Sequence, residues 1–150
     1  MIALANILSK KKTHHKILFA AFGGEEKGAL GSMDLVQNLM QKDIQIDEMI
    51  NLDMVGKMEG HTLFYRQFNE PKTSPDDIRH KRIKLTEGKD SLSDHYDFVM
   101  KGIPASYFTT GEDQFIHTTS DTSGKLNYKG MNETVRFLAR YIISIDKSLN

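Results

Sequence analysis

Three short apolar runs in this sequence each lead into a group of residues with carboxylate or imidazole side chains. The first, residues 17–22 (ILFAAF), runs into Gly23-Gly24-Glu25-Glu26-Lys27-Gly28. The second, residues 48–54, closes on Asn51-Leu52-Asp53-Met54-Val55-Gly56. The third, residues 105–109, is followed by Phe115-Ile116-His117-Thr118-Thr119-Ser120-Asp121-Thr122. Residues 17–22 hold no polar position, so both faces need cover, as in an inner strand of a parallel sheet. Helical spacing fills the intervals: residues 2–11, 30–40, 96–100 and 128–148. The last has Val135, Leu138, Ala139, Ile142 and Ile143 on one side. Lys10 to Lys12 are expected in the last turn of the first helix, where cations favour the helix dipole. Residues 62–68 (TLFYRQF) read as a further strand. Residues 69–92, polar and interrupted by Pro71 and Pro75, predict a loop with one short helix. Strands alternating with helices imply an α/β sandwich with a largely parallel sheet. Ligands bind beyond the carboxyl ends of such strands, so the three polar groups are expected at one sheet edge.

At 150 residues the chain suits one domain. Lys+Arg and Asp+Glu both total 20. A formal net charge of zero gives no electrostatic reason for a nucleic acid or an anionic membrane as partner. It also offers little repulsion against self-association. The absence of cysteine excludes disulfides and thiolate metal sites. No apolar run approaches the ~20 residues that span a bilayer. The start, MIALANILSKKK, places its positive charges after the apolar stretch, the reverse of a signal peptide. The compartment stays open.

Two adjacent Glu, one Asp and one His at a common edge form a hard-to-borderline donor set suited to zinc. The Glu pair suggests divided labour, with one binding metal and its neighbour taking a proton from water. Each element also has an ordinary reading. Adjacent glutamates in a loop are commonly solvated, an Asp ending a strand commonly caps a turn, and a lone His is commonly a surface residue. Their conjunction carries the functional reading.

Four stretches, in order, resemble the co-catalytic zinc exopeptidases that include bacterial leucyl aminopeptidases, glutamate carboxypeptidase and glutaminyl cyclase. They are ILFAAFGGEEKGALGS (17–32), INLDMVG (50–56), SDHYDF with GIPASYF (93–108) and IHTTSDT (116–122). The resemblance implies a three-layer α/β/α sandwich of zinc-peptidase (phosphorylase/hydrolase-like) type with a mostly parallel central sheet. It implies removal of N-terminal residues from peptides with two zinc ions per intact site. Glu25 looks like the general base and Glu26 the ligand of one zinc. His117 shares that zinc, and Asp53 looks like a ligand of the second. Asp121 is expected behind the ligands or as a fastening for its loop. Asp94 has two readings, a residue supporting the site or an ordinary acid at a helix N-terminus. Met54 and Ile116, beside the ligands, line the side-chain pocket or pack in the core.

The family carries two more ligands upstream, a His in an H-x-D motif and an Asp that bridges both metals. Neither motif stands in this sequence. His14 and His15 do not substitute: they precede residues 17–22, so about 20 Å of extended chain separates them from Glu25. They read as a surface loop, and His80, among Arg79, Lys81 and Arg82, as part of a solvated basic face. The expectation is a single partial peptidase domain without its N-terminal strands. On that reading the chain is inactive or nearly so alone, with partial or no zinc occupancy and self-association through the exposed face. The resemblance places family members often outside the cell. Rival readings are glutaminyl cyclisation, carboxypeptidase action, or a metal-free interaction domain.

Overall fold

The computed structural model describes residues 1–88, 92–112 and 114–149. Helix α1 spans Ile2–Leu8, α2 Leu30–Gln41, α3 His95–Val99 and α4 Tyr128–Ser148. Strands are β1 Met49–Leu52, β2 Thr62–Phe68, β3 Lys84–Glu87 and β4 Ala105–Thr109. They form one sheet in the order β1-β4-β2-β3. β1 pairs with β4 and β2 with β3 in parallel, while β2 and β4 run antiparallel. The sheet is therefore mostly parallel, as expected. β1 and β4 direct their carboxyl ends the same way, and the second and third polar groups follow them.

Two apolar clusters cover the two faces. One gathers Leu4, Leu8, Phe108, Phe137, Leu138, Tyr141 and Ile145 from α1, α4 and β4. The other joins Val36, Met49, Phe98 and Ala105 from α2, β1, α3 and β4. Ala105 and Phe108, an odd number of positions apart, face opposite ways because side chains alternate along a strand. The layers are thus α/β/α. Phe137, Leu138 and Tyr141 are at most 1% exposed. Each contributes roughly 1.5–3 kcal/mol by leaving water, and together they seat α4. Asn127 caps that helix, its Oδ1 accepting from the Gly130 N–H at 2.9 Å.

Four expectations need correction. Residues 17–22 are not a strand. A strand exists through its ladder of backbone bonds, and no described strand pairs with this run. Phe19 packs in the first cluster and Phe22 in the second, so the segment still passes between the layers. Its other side chains are less covered than a doubly buried strand requires, with Leu18 65% exposed. Helix α1 ends at Leu8, short of the lysines. The Ser9 hydroxyl bonds back to Asn6 O, and Lys10 to Lys12 bring no apolar side chain to extend the packed stripe. Within the 69–92 segment, of which 89–91 lie outside the described residues, β3 forms as a short charged edge strand. Finally, His80 is half-buried and packs edge-on against Phe137 with ring centroids 5.5 Å apart. The aromatic face of α4, rather than solvent, holds it.

Candidate active site

Gly23 and Gly24 turn the chain after the apolar run. Gly24 has φ +74°, a region that a side chain disfavours. Glu25–Lys27 then form a single 3₁₀ turn. The start of α2 presses on this turn: the Gly31 N–H donates to Gly23 O at 3.1 Å. A Cβ at Gly31 would stand 2.8 Å from that oxygen. Gly31 is what lets the helix approach so closely. The local sequence therefore presents Glu25 half-buried and Glu26 outward.

Asp53 follows β1, its N–H donating to Phe108 O of β4 at 3.1 Å. The next residue, Met54, has φ +56°, and His117 has φ +58°. Such left-handed backbone at non-glycine positions costs of order 1–3 kcal/mol and persists where surrounding contacts hold it. Two of the candidate loops are thus strained beside the residues of interest.

Glu26 and His117 meet. Glu26 Oε1 lies 3.4 Å from His117 Nε2, with the side chains 71% and 65% exposed. The first and third polar groups therefore share a solvent-open rim, although they are far apart in sequence. Glu25 lies in the same electrostatic field. Desolvation pushes its carboxyl above the usual range, and the charges of Glu26, Asp53 and Asp94 push it further up, against the opposing pull of His117. Burial likewise raises the Asp94 carboxyl, with Asp53 and Asp97 adding to the rise and the Ser32 hydroxyl opposing it. Three carboxylates thus push the Glu25 proton affinity up and one imidazole opposes them.

Asp53 is held from behind. The Ser93 hydroxyl donates to Asp53 Oδ2 at 2.9 Å and accepts from Asn51 Nδ2 at 2.9 Å. Asn51 Nδ2 also lies 3.3 Å from His95 Nδ1. Ser93, Asn51 and His95 are all buried, the last wholly so. The His95 ring stacks on Tyr107 at 4.8 Å between centroids. Sequence reasoning passed over Ser93, Asn51 and His95 as actors. The available signal was their presence in the same two motifs as Asp53 and Asp94.

Asp94 occupies the N-cap position of α3 but makes no side-chain cap bond. Asp121 forms an ion pair with Lys57 Nζ at 3.1 Å. Met54 and Ile116 both line a cavity of about 120 Å³, with Gly56, Lys57, Asp121 and Leu126 completing much of its wall. His14 and His15 sit elsewhere, each with its N–H and ring nitrogen on the carboxylate of Asp146 in α4.

The donors fit zinc in kind and fall short in number. Among the described residues, no three His, Asp or Glu side chains come close enough to hold a metal ion. Tetrahedral protein sites usually need at least three. Glu26 and His117 form one incomplete pair.

A sequence profile for peptidase family M28 matches residues 1–142. This chain belongs to that family. Aminopeptidase YwaD of Bacillus subtilis (strain 168) is 29% identical over 141 residues, covering 81% of this chain and 30% of the relative. A protein named probable zinc metalloprotease in Pyrenophora tritici-repentis (strain Pt-1C-BFP) is 44% identical over 55 residues, 37% of this chain and 13% of its own length. The solved aminopeptidase from Aneurinibacillus sp. strain AM-1 superposes with a TM-score of 0.79 at 28% identity, covering 93% of this chain and 35% of that one. Legionella pneumophila LapA, at 24% identity and TM-score 0.77, shares the fold over 96% of this chain and 43% of its own. The M28 chain described here thus spans less than half the length of these relatives.

Proposed function

We propose that this M28 chain supplies the proton-transferring base and part of the metal cradle of an aminopeptidase, which removes N-terminal residues from peptides. The approach of Glu26 Oε1 to His117 Nε2 at 3.4 Å carries the reading, because it joins two candidate zinc donors from distant motifs. Names of relatives support the substrate class: aminopeptidase for the bacterial relatives, zinc metalloprotease for the fungal ones. Glu26 and His117 would hold one zinc together with donors beyond this pair. Asp53, oriented by Ser93, would face a second. When bound, zinc supplies the positive charge that polarises the scissile carbonyl and makes water acidic enough to lose a proton near neutrality. Glu25 takes that proton on its carboxylate and returns it to the leaving amine. Its raised proton affinity brings base and water closer in strength, which favours transfer in both directions. Met54 and Ile116 would receive the side chain of the departing residue.

With one donor pair formed, the isolated chain binds zinc weakly and hydrolyses amino-acyl anilides near background. Zinc titration followed by calorimetry tests the cradle. Wild type should show weak saturable binding that Glu26→Gln and His117→Gln each abolish. Equal heats in all three proteins would refute the assignment of that pair. The chain also self-associates through the apolar surface at Ile2, Ile17 and Leu18, of which Ile2 is 88% exposed. Light scattering should find a smaller mass for Leu18→Lys than for wild type. A monomeric wild type would remove that claim.

A further inference from the structure

The loop that carries Ile116 and His117 leaves β4 and returns at the cap of α4. Both of its ends are sewn to the turn after β1 by backbone bonds. At one end the Thr110 N–H donates to Met54 O at 3.1 Å. The Thr110 hydroxyl donates to the same oxygen at 2.6 Å and accepts from the Lys57 N–H at 3.2 Å. At the other end the Asn127 N–H donates to Gly56 O at 2.8 Å, and Asn127 Nδ2 donates to Met58 O at 2.7 Å. The turn comes so near that a Cβ on Gly56 would stand 2.7 Å from Leu126 Cδ2.

These bonds fix where the loop starts and stops. Its middle folds into local turns, with the Thr118 N–H donating to Phe115 O at 3.0 Å across His117 and the Asp121 N–H to Thr118 O at 3.1 Å, and side chains reach those turns from the turn after β1. Lys57 reaches that middle from the same turn. Its ammonium pairs with Asp121 at 3.1 Å and stands 5.2 Å from the centre of the Phe115 ring. Lys125 lies over the same ring at 3.0 Å. Phe115 and Asp121 bracket His117 in sequence. Lys57 is 20% exposed but Asp121 is 49% exposed, so the ion pair is a solvent-facing one that contributes little alone, and the grip comes from its acting together with the contact to Phe115. The bracketed residue is also the strained one, with φ +58°. A backbone held in that region needs contacts on either side of it.

We infer that Lys57 is a positioning residue: it grips the loop on both sides of His117 and thereby fixes the imidazole opposite Glu26 and the Ile116 side chain at the pocket wall. This rests on the peptidase reading for its purpose, and on the geometry alone for the grip. Lys57 follows Met54 by three positions, so one short turn registers the Asp53 and His117 loops against each other.

The experiment is proton–carbon NMR of the full chain at fixed pH, observing the His117 ring C–H and the Ile116 δ1 methyl. The proteins are wild type, Lys57→Met, Lys57→Arg and Asp121→Asn. Lys57→Met keeps the length of the stem and removes the charge. Both signals should shift and broaden by roughly twofold or more, as exchange on the µs–ms scale produces. Lys57→Arg, which can still reach Asp121 and Phe115, should restore them toward wild type. Asp121→Asn, with Lys57 intact, should give a smaller change of the same kind. Overlaying spectra for Lys57→Met and wild type would overturn the inference. If Lys57→Met fails to fold, unchanged signals in Asp121→Asn would do the same. A Lys57→Arg protein as perturbed as Lys57→Met would reduce Lys57 to a packing residue and also overturn it. None of these outcomes depends on zinc binding or hydrolysis, so the peptidase reading stands or falls separately.

Discussion

Replacing Ser93 by alanine isolates the support beneath Asp53. Ser93 is 4% exposed and its hydroxyl serves two partners at once. Its donated bond ends on a carboxylate at 2.9 Å. A bond to a charged group contributes about 1.5–3 kcal/mol net. The accepted bond, from Asn51 Nδ2, is cheaper to lose because that nitrogen keeps His95 Nδ1 at 3.3 Å. For it we take about 0.5–1 kcal/mol, the low end for a neutral pair. The hydroxyl leaves a gap too small to matter beside these. The sum is a destabilisation of about 2–4 kcal/mol, a large share of the roughly 5–15 kcal/mol by which domains are stable. Urea unfolding at neutral pH reads it as a lower midpoint with an unchanged slope. A double-mutant cycle with Asp53→Ala then assigns it. The coupling between the two sites should be about 1.5 kcal/mol or more, and the loss on Ser93→Ala should shrink when Asp53 is already gone. A loss below about 0.5 kcal/mol, or losses that simply add, would show that the bond does not hold Asp53.

Gly31→Ala drives a methyl to 2.8 Å from Gly23 O and 2.9 Å from Gly23 N, both backbone atoms. It should cost about 1–3 kcal/mol and displace the amide signals of Glu25 and Glu26, and unchanged amide signals there would contradict the close approach. Asp146 gives a pH signature. Chiefly the His15 N–H, with the rings and the His14 N–H assisting, holds its carboxyl down to about 2. Its contribution is therefore fully present above the ordinary carboxylate range and is lost as pH falls through about 2. Glu25, Glu48 and Asp94 are raised, so their contributions are present at low pH and are lost as pH rises through their folded values. The difference between wild type and Asp146→Asn removes those three. It should favour wild type at neutral pH and narrow toward pH 2 in thermal melts. A difference that is flat with pH would refute the charge-based anchoring of residues 14 and 15.

Regular, locally encoded features were legible in the sequence. The apolar stripe of residues 128–148 marked α4, and the helix has those bounds. The TLFYRQF run marked β2. The motifs also pointed to a meeting of Glu26 and His117, and the two side chains do approach to 3.4 Å, although residues 17–22 reach that rim without pairing in the sheet. What was illegible depends on partners. Residues 17–22 have the composition of an inner strand, but a strand needs a neighbour, which composition does not reveal. β3 carries Lys84 and Glu87 at its ends and no run of apolar residues, so its pairing with β2 left no sequence trace. Asp146 sits in a helix like any surface acid, and only its fold-dependent nearness to His14 and His15 distinguishes it. Ser93 and Lys57 were invisible for the same reason: their meaning lies in distances to residues far along the chain.

The parallel ladder between β1 and β4 aligns Met49 with Ala105. Until the ribosome has released that second segment, the emerging polypeptide displays its glutamate pair and Asp53 with no imidazole from His117 to offset them. Assembly of the rim therefore waits for residues 105–117, and a nascent chain arrested before them would expose Val36 and Met49, which the folded protein buries, and hold no formed site. Chaperone capture of such arrested intermediates should fall sharply once the region through α4 has emerged, because that helix covers Phe108.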